Sequence, residues 1–293
     1  MWLIGVSNKH YERNNKVNYK EIIIFGLKTL FLTLILCICF LIASLLVGLP
    51  VLKYHEALAL TTMCFLDVIV LSYLIVRSHW YGWKLIIAVF IVFFGVKTFL
   101  SQVETVVFLQ YLVKIVPTEL IPQLFIHGAI TAALFTPVAV FAYNKTSKAL
   151  EEHKRLAIPV IEWFWKLALI AIIYIIIYII FGMFVFMPLA GEAAREYYAN
   201  LQLPPWIIPF QGLRALIFTG IAILIVKMMK GCWLETGLMV ALTFSVIMGS
   251  SLLLPNEFMP VNIRLAHLVE IMSSNFIYGW LIILILRVNG RIT

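Results

Sequence analysis

The sequence predicts an all-α fold: a polytopic bundle of about eight membrane-spanning helices. Three observations predict it. Hydrophobic residues make up 63% of the 293-residue chain, charged residues only 12%, and the mean hydropathy is +1.03. Soluble proteins carry roughly 25% charged residues. The apolar residues also come in runs of about 20 or more, the length that crosses a bilayer core. In lipid, such runs must satisfy their own backbone groups, which makes them helices. The composition excludes soluble enzymes and nucleic-acid readers, despite a net charge of +8. The partner that the composition does name is the lipid bilayer.

The spans fall at approximately 22–49, 57–76, 84–113, 122–143, 160–188, 207–228, 233–254 and 262–287. The first follows a polar, basic segment over 1–21 and stops at Leu49-Pro50. At 28 residues it is too long for a signal-peptide core, so it reads as a retained first span of a single membrane domain over 22–293. Arg77 and Lys84 bracket the turn between the second and third spans. The third is long for one crossing, and its end carries Gln102, Glu104 and Gln110. Pro117 to Pro122 separates it from the fourth, and Lys145 to Arg155 closes that one. The fifth ends at Pro188, leaving Glu192, Arg195 and Glu196 to a loop. Pro204 to Pro209 opens the sixth, Lys227 to Gly231 ends it, and Pro255 to Pro260 precedes the eighth.

Basic residues orient the bundle, because cytoplasmic loops hold an excess of Lys and Arg. With the N-terminus inside, 16 of the 22 basic residues fall in or beside cytoplasmic segments, and only Lys53, Lys114 and Arg195 in outer loops. The even number of spans then places both termini in the cytoplasm, across the cell membrane. Cys37, Cys39, Cys64 and Cys232 lie in or beside apolar stretches. There a thiol is a small buried hydrophobe, and no disulfide or metal role follows.

The two halves resemble each other. Lys28 to Pro50 and Lys166 to Pro188 are both 22 residues. Arg77 to Trp83 matches Lys227 to Trp233, and Pro122 with His127 matches Pro260 with His267. These matches predict two parallel four-helix repeats, 22–143 and 160–287, with His127 and His267 as counterparts. The competing reading is that any hydrophobic bundle aligns loosely with itself.

A charge inside a bilayer costs roughly 2.5–3.5 kcal/mol on insertion scales, so each needs a partner or a task. Asp67 and Lys97 flank the turn near residue 80 at similar depth, which predicts a structural ion pair between the second and third spans, with a functional relay as the alternative. In the outer third, Arg264, His267, Glu270 and Ser274 share one helical face of the eighth span, and Asn275 follows. The sixth span adds Gln211 and Arg214, the fourth His127, and the third Gln102 and Glu104. At matching depth, Arg214 is the expected partner of Glu270.

A network that only fixes helix packing would explain any one of these residues. Together, they predict a polar cavity that binds or transports a small solute, with arginines suited to a carboxylate or phosphate. Two alternatives stand beside it. One is a membrane-embedded enzyme using His267 and Glu270; the other is an assembly subunit without a ligand. No His-Glu-x-x-His, Gly-x-Ser-x-Gly or phosphate-loop motif occurs. No metal site is expected, and the spacing specifies no cofactor. Ser273 and Ser274 are expected to bond their own helix backbone.

Overall fold

The computed structural model describes residues 19–50, 53–112, 117, 119–146, 158–199 and 204–287. Residues 1–18 of the basic N-terminal segment, Lys114 and the basic stretch 147–157 lie outside the described residues. Among the described residues, eight helices are long and apolar enough to cross a membrane. The chain is a helical, multi-pass membrane protein.

The helices are α1 (Tyr19–Val47), α2 (Ala57–Arg77), α3, α4 (Leu120–Ala142), α5, α6 (Ile207–Met228), α7 and α8 (Val261–Arg287). Three of them change pitch. Helix α3 runs Gly82–Phe94, widens into a π-helical turn at Gly95–Phe99, and continues as Leu100–Leu112. Helix α5 runs Val160–Phe181, makes a π turn at Gly182–Phe186, and continues as Met187–Tyr197. Helix α7 runs Trp233–Leu242, makes a π turn at Thr243–Ile247, and ends in the 3-10 turn Ser250–Leu253.

The expected stop of the fifth span at Pro188 is therefore corrected. Pro188 lies two residues past the π turn of a continuous helix, where the widened turn has already broken the regular hydrogen-bond ladder. Glu192, Arg195 and Glu196 lie on this helix rather than in a loop. The bend comes later, at Gly191, whose φ of 57° and ψ of −134° suit only glycine.

One core runs through the bundle. It includes Leu36 of α1, Leu71 of α2, Val92 of α3, Phe135 of α4, Ile170 of α5, Phe218 of α6, Phe244 of α7 and Ile282 of α8. The opposite faces stay apolar and exposed, as lipid contact requires: Leu27, Leu30 and Leu34 on α1, and Ile172, Ile176 and Ile180 on α5. Lipid tails are as apolar as leucine, so helices associate by close packing and polar links. Gly279 provides the first: a Cβ there would lie 2.6 Å from Ala241 Cα, so α8 presses its backbone onto α7.

Helix α1 packs on α2 and α4, and α3 packs on α4. In the second half, α5 packs on α6 and α8, and α7 packs on α8. Across the halves, α3 meets α6 and α7 meets α2.

One end of the bundle gathers the basic residues. Phe25 and Lys28 of α1 face the Tyr143 ring after α4. The Gly82 N–H donates to Lys145 O at 2.7 Å. Lys166 of α5 is wholly buried; it pairs with Glu162 at 3.0 Å and donates to Leu286 O of α8 at 3.4 Å. Arg287 lies over the Trp233 ring at 3.9 Å. We call this the basic end and its opposite the far end.

Three tiers of polar contact join the first four helices to the last four. At the basic end, the two turns pair as a short antiparallel bridge, Ser78 against Met229. The His79 N–H donates to Met228 O and the Lys230 N–H to Arg77 O, both at 2.9 Å. The Arg77 guanidinium grips Glu235 with two nitrogens, and the Tyr73 hydroxyl donates to Glu235 at 2.8 Å. In the middle, Asp67 and Lys97 meet Ser250. Towards the far end, Glu104 meets Arg214.

Candidate functional site

The far-end tier starts from two helix faces. On α6, Gln211 and Arg214 are three apart and both buried, at 0% and 3% exposure, while Leu213 and Leu216 face outward. On α3, Glu104 lies one turn beyond Leu100. Arg214 reaches both: Nη2 is 3.0 Å from Glu104 Oε2 and donates to Leu100 O at 3.1 Å. Its Nη1 donates to Gln211 Oε1 at 3.0 Å. The guanidinium also lies over the rings of Tyr174 and Phe210, each at 5.9 Å. A buried arginine is thus matched by one carboxylate, one amide oxygen, one carbonyl and two π faces.

The polar face of α8 builds a second group. His267 Nδ1 is 3.0 Å from Glu270 Oε2, and His267 Nε2 is 2.8 Å from the Tyr198 hydroxyl. Phe186, at the end of the α5 π turn, stacks on the imidazole at 4.0 Å. Burial, with Tyr197, Glu104 and Glu270 nearby, pushes the Tyr198 phenol above its ordinary range. The phenol therefore keeps its proton, and it shares a hydrogen bond with Nε2. The bend at Gly191 brings this tyrosine over the start of α8. There Ala190 and Ala194 pack with Ile263 and Ala266, and the Tyr197 hydroxyl donates to Phe258 O at 2.7 Å.

The tyrosines of α5 lie between the two groups. Tyr174 and Tyr178 are within electrostatic reach of Glu104, Arg214 and Glu270. Sequence reasoning passed over both. Their spacing of four within an otherwise aliphatic run was the available signal, since it sets two phenols on one face. Tyr198 and Phe186 carried no such signal, because their placement depends on the π turn and the bend.

Other residues expected here are placed elsewhere. Arg264 is buried and donates to Leu252 O at 2.7 Å. Asn275 lies between α7 and α8, its Nδ2 at 3.4 Å from Met248 Sδ. His127 packs on α1, with Nε2 at 3.1 Å from Ser44 Oγ and 3.2 Å from Phe40 O. Ser273 and Ser274 donate to carbonyls of their own helix. The expected pairing of Arg214 with Glu270 is not found: Arg214 takes Glu104, and Glu270 takes His267.

Buried polar atoms without a hydrogen-bond partner among the described residues include Gln102 Oε1, Gln211 Nε2 and Arg214 Nε, and, away from these groups, Arg264 Nε. Among the described residues, no three His, Cys, Asp or Glu side chains converge to hold a metal ion. No protein-family model, no curated protein and no solved structure matches the chain.

Proposed function

We propose that this protein binds and transports a small solute bearing a carboxylate or phosphate, at a far-end site between α3, α5, α6 and α8. One observation carries the reading: among the described residues, Gln211 Nε2 and the Nε of the Arg214 guanidinium are buried donors left without partners. An unmade hydrogen bond at a buried donor costs about 1–3 kcal/mol. An anionic solute that accepts from both would recover it, and arginine suits oxyanions. Glu104 offsets the arginine charge while the site is empty. His267 and Glu270 line the α8 side.

The wider reading is consistent with this. The basic end is cytoplasmic by the positive-inside rule, so the far-end site faces outward. The halves 22–143 and 160–287 are two copies of one four-helix unit. Matching helix contacts, the symmetric Ser78–Met229 bridge, and the placing of His127 against α1 and His267 against α5 support that. Transporters commonly place their sites between such repeats.

The test is a thermal-shift screen of carboxylates and phosphates on the purified protein in detergent, followed by uptake into vesicles. A solute at a hundred times its Kd stabilises by about 2.7 kcal/mol. The reading expects that shift to vanish in Gln211→Ala. Equal shifts in both proteins would place binding elsewhere and sink it.

A second reading rests on the Tyr198–His267–Glu270 chain, in which a carboxylate orients an imidazole whose other nitrogen meets a phenol. That arrangement suits a general base in a membrane-embedded enzyme. Solute turnover that His267→Gln abolishes, without transport, would favour it.

A further inference from the structure

Asp67 sits at the eleventh position of the 21-residue helix α2, so helical rise puts it about 15 Å from either end. Its side chain is 0% exposed. Lys97 Nζ lies 2.7 Å from Oδ2, and the Ser250 hydroxyl donates to Oδ1 at 2.6 Å. Lys97 also donates to Ser250 Oγ at 2.9 Å, closing a ring of three groups. Two of them come from the first half and the third from the second.

The backbone around the ring is irregular on both sides. Lys97 lies inside the π turn of α3, and Ser250 opens the 3-10 turn that follows the π turn of α7. The two π turns pack against each other. Such turns concentrate at functional positions, and a helix that has already left α geometry can change its pairing with little further loss. A pair needed only to pin α2 to α3 would not require Ser250.

We propose that Asp67, Lys97 and Ser250 form a proton-binding site at the junction of the halves, and that protonation of Asp67 frees the end of α7 from α2. It deepens the transport reading, resting on it only for what the proton drives. The lysine retains 13% exposure where the aspartate has none, and in this proposal the proton is routed through Lys97. The ammonium gives a proton to the Asp67 carboxylate across the 2.7 Å contact. The resulting amine then takes one from solvent. The net change is one proton gained, and the charge of the pair goes from zero to plus one. A neutral carboxyl accepts the Ser250 hydroxyl and the Lys97 ammonium far less strongly than a carboxylate does, so the link from α2 to α7 weakens. Among the described residues, Cys64 on α2 and His127 on α4 lie in the field of Lys97, and Cys37 on α1 touches Cys64.

The experiment uses the full-length protein in lipid nanodiscs and needs no solute, so its failure is separate from failure of the far-end site. Infrared difference spectra are recorded as pH is lowered. Other carboxyl groups contribute to such spectra, so the site is read as the carboxylic C=O band that disappears in Asp67→Asn. That band is expected to shift in frequency in Ser250→Ala, which removes the hydroxyl from Oδ1 and keeps a folded protein available should Asp67→Asn fail to assemble. Amide exchange over 243–254 is expected to rise as the band grows. Identical difference spectra for the wild type and both variants would overturn the proposal. A band that grows without added exchange in 243–254 would overturn the release of α7.

Discussion

Arg214 on α6 reaches across the bundle to Glu104 on α3 at 3.0 Å, while Glu270, the carboxylate at matching depth on α8, closes on His267 at 3.0 Å. The first contact joins the two halves of the chain, and the second stays within one helix. The far-end tier therefore has an arginine–carboxylate side and an imidazole–carboxylate side, with the tyrosines of α5 between them.

Arg214 is buried while Glu104 keeps 28% exposure, so removing one member costs up to the roughly 3–5 kcal/mol of a fully buried pair. Arg214→Ala should lower stability in detergent strongly. The double variant Glu104→Gln with Arg214→Gln should be markedly more stable than Arg214→Ala alone. Scanning fluorimetry of the single and double variants checks this, and equal losses in both would refute the pairing.

The contact between α7 and α8 should tolerate no added carbon at residue 279. A Cβ would meet Ala241 backbone at 2.6 Å and 2.9 Å, and backbone cannot rotate away. Overpacking of this kind costs about 1–3 kcal/mol. Gly279→Ala should thus lower the unfolding midpoint, whereas Gly182→Ala, with open space around it, should change it little.

Gly191 holds a backbone conformation that other residues reach only with strain, on the order of 1–3 kcal/mol. Gly191→Ala should straighten the end of α5 and draw Tyr198 from His267. The loss should match that of Tyr198→Phe in any assay that reads the histidine, such as its NMR titration. An unchanged histidine signal in both variants would count against the coupling.

The orientation can be settled by labelling in a background without the four native cysteines. A membrane-impermeant maleimide added outside whole cells should modify Glu192→Cys and spare Lys230→Cys until the membrane is opened. The reverse pattern would invert the topology.

Much of this protein was legible in one dimension. The eight spans and the polar stripe on α8 follow from hydropathy and helical period, because the bilayer sorts residues by depth along its normal. That is why Asp67 and Lys97 could be expected to meet from their distance to a shared turn. Lateral order is a different coordinate. Whether Arg214 faces α3 or α8 depends on which helices are neighbours and how each is rotated, and hydropathy carries neither. Those were decided by contacts distant in sequence: Gly279 against Ala241, Ser78 against Met229, and the rings of Tyr174, Phe218 and Tyr278 between α5, α6 and α8. The π turns and the bend at Gly191 belong to the same class. Local composition marks Pro188 as a stop, yet packing of Ala190 and Ala194 on α8 carries the helix past it and delivers Tyr198 to His267. Depth came from the sequence because the solvent imposes it; pairing came from the tertiary structure because only packed helices choose their neighbours.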